Sequence, residues 1–596
     1  MRNAETILGI IRNRGTRGLP VNDLYRQLWN PNLYLMAYGR IAKNDGALTP
    51  GATPETADGM KMDDIHAIIE ALRFERYRWT PARRVYIPKA NGKRRPLGLP
   101  TWSDKVLQEV MRLLLDAYYE PQFSDRSHGF RPQRGCHTAF TEITRTWTGT
   151  TWFIEGDIAG CFDNIDHKVL LEILGENIQD NRFLRLVSNL LRAGYLEDWK
   201  LNATHSGTPQ GGVVSPILAN VYLDRLDRFV EGVLLPAYNR GKTRRKNPEY
   251  RRTLSQIDRL RKKGHGKEAA SLRPLLRSLP YGDTDDPDYR RLRYIRYADD
   301  FLLGFAGPKD EADEIKTRLG RFLQDNLKLE LSDAKTLVTH GRTQAARFLG
   351  YEVNVQHNDT KLDANGLRSV NGNIGLRVPS DVVRAKCAPY MRGGKPVHRA
   401  ERLHDSPYSI VIQYQVEFRG IANYYRRAVN LTSLDRLRWV MGLSLAKTLA
   451  SKLKISVAQV YRRYGTTIKT EQGPRKVLKV EKERPGRDPL VAYWGGISLA
   501  RDTRANLVDK LPPILNGRTE LVERLLADTC ELCGSTVKVQ VHHVRALKDL
   551  RKKGRAKPPA WMEVMAARRR KTLVVCASCH VDIHAGRPLK QRTQAT

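Results

Sequence analysis

Two adjacent aspartates inside an apolar, alternating stretch are the feature that most restricts what this chain can build. In "YIRYADDFLLGFAG" (residues 294–307), Asp299 and Asp300 stand between two runs rich in strand-forming residues. Such flanks predict a β-hairpin with the two acids at its turn. A turn commonly carries Asp for its local hydrogen bonds alone, with water screening the charge. A second acid changes the reading. "TTWFIEGDIAGCFDNIDH" predicts a buried strand ending at Asp157, followed by a turn with Asp163 and Asp166. Three carboxylates on neighbouring strand ends are what a pair of divalent ions needs to activate a hydroxyl and hold a leaving pyrophosphate. Hard magnesium takes such oxygens together with substrate phosphates and water. Asp163 and Asp166 lie past the strand, in a helix-capping stretch, and read as structural.

Charge points to the partner. Lys and Arg number 102 against 64 Asp and Glu, a formal net charge of +38. A balance this basic favours nucleic acid, bound through phosphate neutralisation. At 596 residues the chain is too long for one core. Residues 1–80 read as helical. "RRVYIPKANGKRRPLGLP" predicts a basic hairpin turning at Asn91-Gly92. A strongly basic, weakly apolar insertion covers 237–293. Helices dominate from about 380 to 465, one with Leu434, Leu437, Met441, Leu445 and Leu449 at core spacing. The charged, proline-bearing stretch 469–489 reads as a linker. No apolar run is long enough for a bilayer, so no membrane partner is expected.

The C-terminal region has its own chemistry. Cys530 and Cys533 form one CxxC pair, Cys576 and Cys579 another, the spacing of a four-thiolate zinc site in a reducing compartment. His542 and His543 lie on a predicted strand. His580 and His584 lie four apart and therefore share one helical face. Two histidines facing two others could hold a second cation.

In order and spacing, "RRVYIPKANGKRRPLGLPT", "HGFRPQRGCHTA", "WFIEGDIAGCFDNIDH", "GTPQGGVVSPILANVYLD", "YIRYADDFLLGF", "LELSDAKTLV" and "RFLGYEV" resemble the successive blocks of a reverse transcriptase. More narrowly, the chain resembles a group II intron-encoded protein. "FRGIANYYRRAVN" is similar to that family's maturase domain, and "RKTLVVCASCHVDIHAG" to its HNH endonuclease. The resemblance implies a right-hand polymerase, with α+β fingers and palm and a helical thumb, followed by a small ββα-metal HNH zinc module. It divides the chain into an RNA-binding extension (1–80), fingers and palm (81–370), a thumb or maturase domain (371–468), a linker and DNA-binding region (469–524) and the endonuclease (525–596).

The same resemblance implies roles for single residues. Asp157 and Asp299 become the main magnesium ligands and Asp300 a peripheral one. Arg83, Lys89 and Arg95 grip the triphosphate of a deoxynucleotide, and Gln210 touches that nucleotide. Gly211 and Gly212 allow close backbone approach. Phe162 excludes a 2′-hydroxyl. His543 becomes the endonuclease's general base, while His542, His580 and His584 hold its divalent cation. HNH modules commonly carry an orienting Asn where this chain has Lys571, so that helper role stays unassigned. The implied partners are group II intron RNA, target DNA and a second copy of the chain, in a bacterial cytoplasm rather than an organelle. Two rivals are a splicing cofactor with a decayed polymerase and a reverse transcriptase of another lineage. Intact acids and the Gln-Gly-Gly loop oppose the first, the long thumb and HNH-like tail the second.

Overall fold

The computed structural model describes all residues except 1–2, 45, 89–91, 93, 198–199, 203–205, 208–210, 284–285, 333, 365–367, 471–472, 485–486, 508–527, 545–558, 568–570 and 588–596. Eight strands build the two four-stranded sheets of the chain. They are β1 (Ala82–Pro88), β2 (Arg94–Leu99), β3 (Trp152–Asp157), β4 (Tyr195–Glu197), β5 (Lys200–Asn202), β6 (Arg291–Tyr297), β7 (Asp300–Ala306) and β8 (Val338–His340). Strands β6, β7, β3 and β8 form a central antiparallel sheet in that order, and β2, β1, β4 and β5 a second sheet.

The central sheet is covered on both faces, which explains why its strands are apolar almost throughout. Successive side chains point to opposite faces. Ile154, Tyr294, Phe301, Leu303 and Phe305 therefore join one core, shared with the N-terminal helices. Phe153, Ile295 and Leu302 join another, shared with the C-terminal helices. In that second core the helix Asp435–Leu453 buries Leu437, Met441, Leu445 and Leu449, as the spacing predicts. Lys447 and Lys452 lie beside this face and donate to the carbonyls of Pro396 and Leu403, at 2.7 and 2.8 Å.

The linker expected at 469–489 is instead part of a three-stranded antiparallel meander, Gly465–Thr470, Gly473–Arg484 and Arg487–Gly495. Its exposed positions supply the charge that suggested a linker. Val477, Leu478, Val480, Ala492 and Trp494 are buried, and Trp494 meets Phe418 edge-on at 5.7 Å. The meander thus packs on the helix Pro407–Tyr424, and the boundary expected at residue 468 does not separate two bodies.

The basic insertion carries the helices Pro248–Lys262, Gly266–Ser271 and Arg273–Ser278. The C-terminal module is a hairpin of Val539–His543 and Thr572–Cys576 followed by the helix Ala577–Ala585. One face of its hairpin (Val539, Val541, Val574) joins the core of the N-terminal body, and the other (Leu573, Val575) its own small core. Among the described residues no helix is long and apolar enough to cross a membrane.

Candidate active sites

The backbone brings the three predicted aspartates to the same end of the two middle strands of the central sheet, although their carboxylate oxygens do not converge as a ready-made ligand cluster. Asp157 ends β3, Asp300 begins β7, and the two are directly paired in the antiparallel register. Asp299 sits in the tight β6–β7 turn beside Ala298, whose φ of 56° is left-handed. A buried ion pair holds that turn. Arg296 and Asp227 are both 0% exposed, and Nε and Nη2 of Arg296 donate to the carboxylate at 2.8 and 2.5 Å. Tyr294 donates to the same carboxylate at 2.7 Å. The third guanidinium nitrogen, Nη1, donates to the Ala298 carbonyl at 2.7 Å. The backbone N–H of His128 donates to the Arg296 carbonyl at 2.9 Å. A Cβ at Gly129 would come within 2.3 Å of the Ala298 nitrogen, so only glycine lets this loop lie against the turn.

Neighbouring carboxylates disfavour one another's ionisation. Burial, then the charges of Asp299 and Asp157, push Asp300 up to about 6, with Lys335 opposing. Burial also raises Asp299, against the pull of Arg95 and Arg296. Lys335 Nζ lies 3.1 and 2.9 Å from the two oxygens of Asp157, so a cation already occupies one side of that acid. In the sequence Lys335 stands only within the block "LELSDAKTLV". Nothing in its local pattern ties it to a strand end 178 residues earlier.

Of the other predicted nucleotide contacts, Arg83, Arg95 and Phe162 are among the described residues. Arg83 on β1 donates to the Pro50 carbonyl at 2.8 Å, and its buried Nε has no hydrogen-bond partner among the described residues. Phe162 is half-buried and meets the exposed ring of Phe130 edge-on at 6.3 Å. Next to it, burial and then Asp299 push the Cys161 thiol to about 12, which places that turn beside the acids. Lys89 and Gln210 lie outside the described residues. Beside Gln210, Gly211 has φ +105° and packs where a Cβ would meet the Gly98 carbonyl at 2.4 Å. Asp166 caps the next helix by accepting from Val169 N at 2.9 Å, the structural role its position suggested.

The C-terminal module presents two ligand clusters. The sulfurs of Cys530, Cys533, Cys576 and Cys579 lie within 4.8 Å of one another. Cys533 Sγ and Cys576 Sγ are 3.6 Å apart. Within each pair the second cysteine's N–H donates to the first sulfur, at 3.5 Å. Four sulfurs about 2.3 Å from one ion would be spaced in this way, so the set fits zinc.

The second cluster differs from expectation in two respects. His542 joins His580 and His584, but His543 does not, because neighbours on a strand point to opposite faces. Two histidines therefore do not face two others. His543 turns toward the N-terminal body, where its Nε2 lies 2.7 Å from the Tyr38 hydroxyl. The fourth member of the cluster is Asp58, from the N-terminal segment. Burial pushes its carboxyl up, but His542 and His580 outweigh that and hold it far below the usual carboxylate range.

A basic, aromatic surface lies elsewhere, on the C-terminal helices, where Arg436, Trp439, Tyr461, Arg462 and Arg463 are exposed.

The profile of reverse transcriptases (RNA-dependent DNA polymerases) matches residues 87–353, that of type II intron maturases residues 382–494, and that of AI2M/AI1M-like HNH endonucleases residues 530–580. The group II intron-encoded protein LtrA of Lactococcus lactis subsp. cremoris is 39% identical over 582 residues, covering 94% of each chain. The putative COX1/OXI3 intron 1 protein of Saccharomyces cerevisiae is 30% identical over 584 residues, covering 94% of this chain and 69% of its own. Protein YkfC of Escherichia coli is 32% identical over 335 residues, covering 54% of this chain and 80% of its own.

Proposed function

The chain belongs to the family of group II intron-encoded proteins, and from that premise we propose that its central sheet is a polymerase palm with Asp157, Asp299 and Asp300 as the acids that hold magnesium. The protein is an RNA-directed DNA polymerase with maturase and HNH endonuclease domains. The observation that carries the palm reading is the pairing of Asp157 with Asp300, with Asp299 at the adjoining turn. When bound, magnesium would supply positive charge to the attacking 3′-hydroxyl and to the leaving pyrophosphate.

The chain's own groups do the rest. Arg296 fixes the turn that carries Asp299, and Lys335 holds Asp157 in place. The sheet of β1 and β2 is the finger region, presenting Arg83 and Arg95 to the triphosphate through charge-assisted hydrogen bonds, a role that Lys89 would share. Gln210 and the Gly211 backbone line the nucleotide from below. Phe162 crowds the sugar's 2′ position.

In the C-terminal module, Cys530, Cys533, Cys576 and Cys579 hold a structural zinc. A closed four-sulfur site stabilises a small fold and leaves no position for substrate. His542, His580 and His584 hold a second divalent cation, which when bound would polarise the scissile DNA phosphate. His543 is the general base that takes a proton from water. The exposed Arg436, Trp439, Tyr461, Arg462 and Arg463 suit folded intron RNA, through phosphate contacts and stacking.

Replacing Asp299 and Asp300 together by Ala tests the division of labour, because it leaves the basic surfaces untouched. Complementary-DNA synthesis should fall to background while assisted splicing persists. Equal loss of splicing, in a protein that still binds the intron RNA, would refute the separation.

A further inference from the structure

We propose that Asp58 is a fourth ligand of the endonuclease cation, supplied by the N-terminal segment, and that it closes the endonuclease site in the resting protein. The proposal rests on the reading that His542, His580 and His584 hold that cation. It adds a residue from the other end of the chain and a reason for the site to be silent.

The distances support ligation. Asp58 Oδ1 lies 3.2 Å from His542 Nδ1 and 3.1 Å from His580 Nε2, and Oδ2 lies 2.8 Å from His584 Nε2. His580 Nε2 is also 3.2 Å from His542 Nδ1 and 3.1 Å from His584 Nε2. A single imidazole nitrogen offers one lone pair or one proton, so hydrogen bonds cannot satisfy three partners at once. One cation satisfies all four ligand atoms. Ligands at about 2.0–2.1 Å around a tetrahedral ion are roughly 3.3 Å apart, close to the spacings here.

Backbone contacts place the carboxylate. Gly59 N donates to the Val541 carbonyl at 2.8 Å, and Val541 N to the Met60 carbonyl at 2.9 Å, so the N-terminal segment runs beside the module's strand. Asp58 Oδ1 also accepts from His543 N at 2.6 Å. From the same N-terminal body, Tyr38 engages His543 Nε2, the atom a general base would use. One docked surface thus covers both the cation site and the base.

A four-coordinate catalytic cation with three protein ligands keeps a position for substrate, and a fourth protein ligand closes it. A DNA phosphate must therefore displace Asp58 before the cation can act on it. The way in is open at the rim, where the His584 side chain is 56% exposed while Asp58 is 16%.

Full-length, zinc-replete protein titrated with Ni²⁺ by calorimetry tests this, since Ni²⁺ favours imidazole sites. Asp58→Asn keeps an acceptor for His543 N but removes the charged ligand. It should weaken Ni²⁺ binding at least about tenfold, as should His584→Ala. Nicking is then measured at saturating Zn²⁺, which takes four ligands, on a supercoiled plasmid carrying the joined exon sequences that flank the gene. Asp58→Asn should nick faster than wild type. Reverse transcription from a supplied primer should be unchanged, confirming the fold. Weakened binding in His584→Ala but not in Asp58→Asn would overturn the proposal and leave the three-histidine reading standing. Unchanged binding in both would remove that reading, and the proposal with it. Weakened binding with slower nicking in Asp58→Asn would make Asp58 a working ligand and overturn the closing role.

Discussion

The aspartates of the central sheet and the histidines of the C-terminal module are two proposed cation sites of one chain, built by different routes. Asp157, Asp299 and Asp300 come together within one sheet, through strand register and a single tight turn. The histidine cluster closes only where two bodies dock, with Asp58 reaching His580 from 522 residues away. A site made by register can be read from periodicity. A site made by docking cannot, because neither surface carries a local pattern that names its partner.

The register-built site depends on a buried support, and removing that support is the strongest way to break the comparison. Arg296→Met would leave Asp227 charged and unpaired where both are fully buried. Breaking such a pair costs about 3–5 kcal/mol. The thermal midpoint of the polymerase region should drop accordingly, and primer extension should fall with it. An unchanged midpoint would mean that the sheet, and not the ion pair, holds the Asp299 turn.

A smaller effect sharpens the electrostatic side. Burial and its neighbours push Asp300 up to about 6, so below that pH it carries a proton. Metal ligands must be deprotonated, so cation and proton compete. In primer extension, the apparent Mg²⁺ affinity should rise about tenfold per pH unit up to about pH 6 and level off above it. A flat dependence between pH 5 and 7 would place Asp300 outside the cation's reach.

The same contrast explains what was legible. Alternating apolar residues located the central strands and set Asp157 and Asp300 at their ends. The two CxxC pairs located the thiolate cluster, and the spacing of His580 and His584 located one helical face. Arg296 was hidden because "YIRYADD" looks like a strand with one wet face, whereas β6 is covered on both sides and the guanidinium is fully buried. The meander at 465–495 was hidden by the charge on its outer positions, which outnumbers the buried Val477, Leu478 and Val480. Adjacency in sequence suggested that His542 and His543 act together. Strand geometry separates them, and docking gives His543 to Tyr38.

The two sites are also placed in series: one makes a DNA 3′ end and the other extends it. His543→Ala in the intron ribonucleoprotein tests that order directly, on intact target DNA and on the same DNA already nicked. Loss of general-base catalysis lowers rates about 10²–10⁴-fold, so nicking and complementary-DNA synthesis on intact target should fall together by that factor. On the nicked target, synthesis should match wild type. Synthesis that stays impaired on nicked DNA, or proceeds normally on intact DNA, would contradict the account.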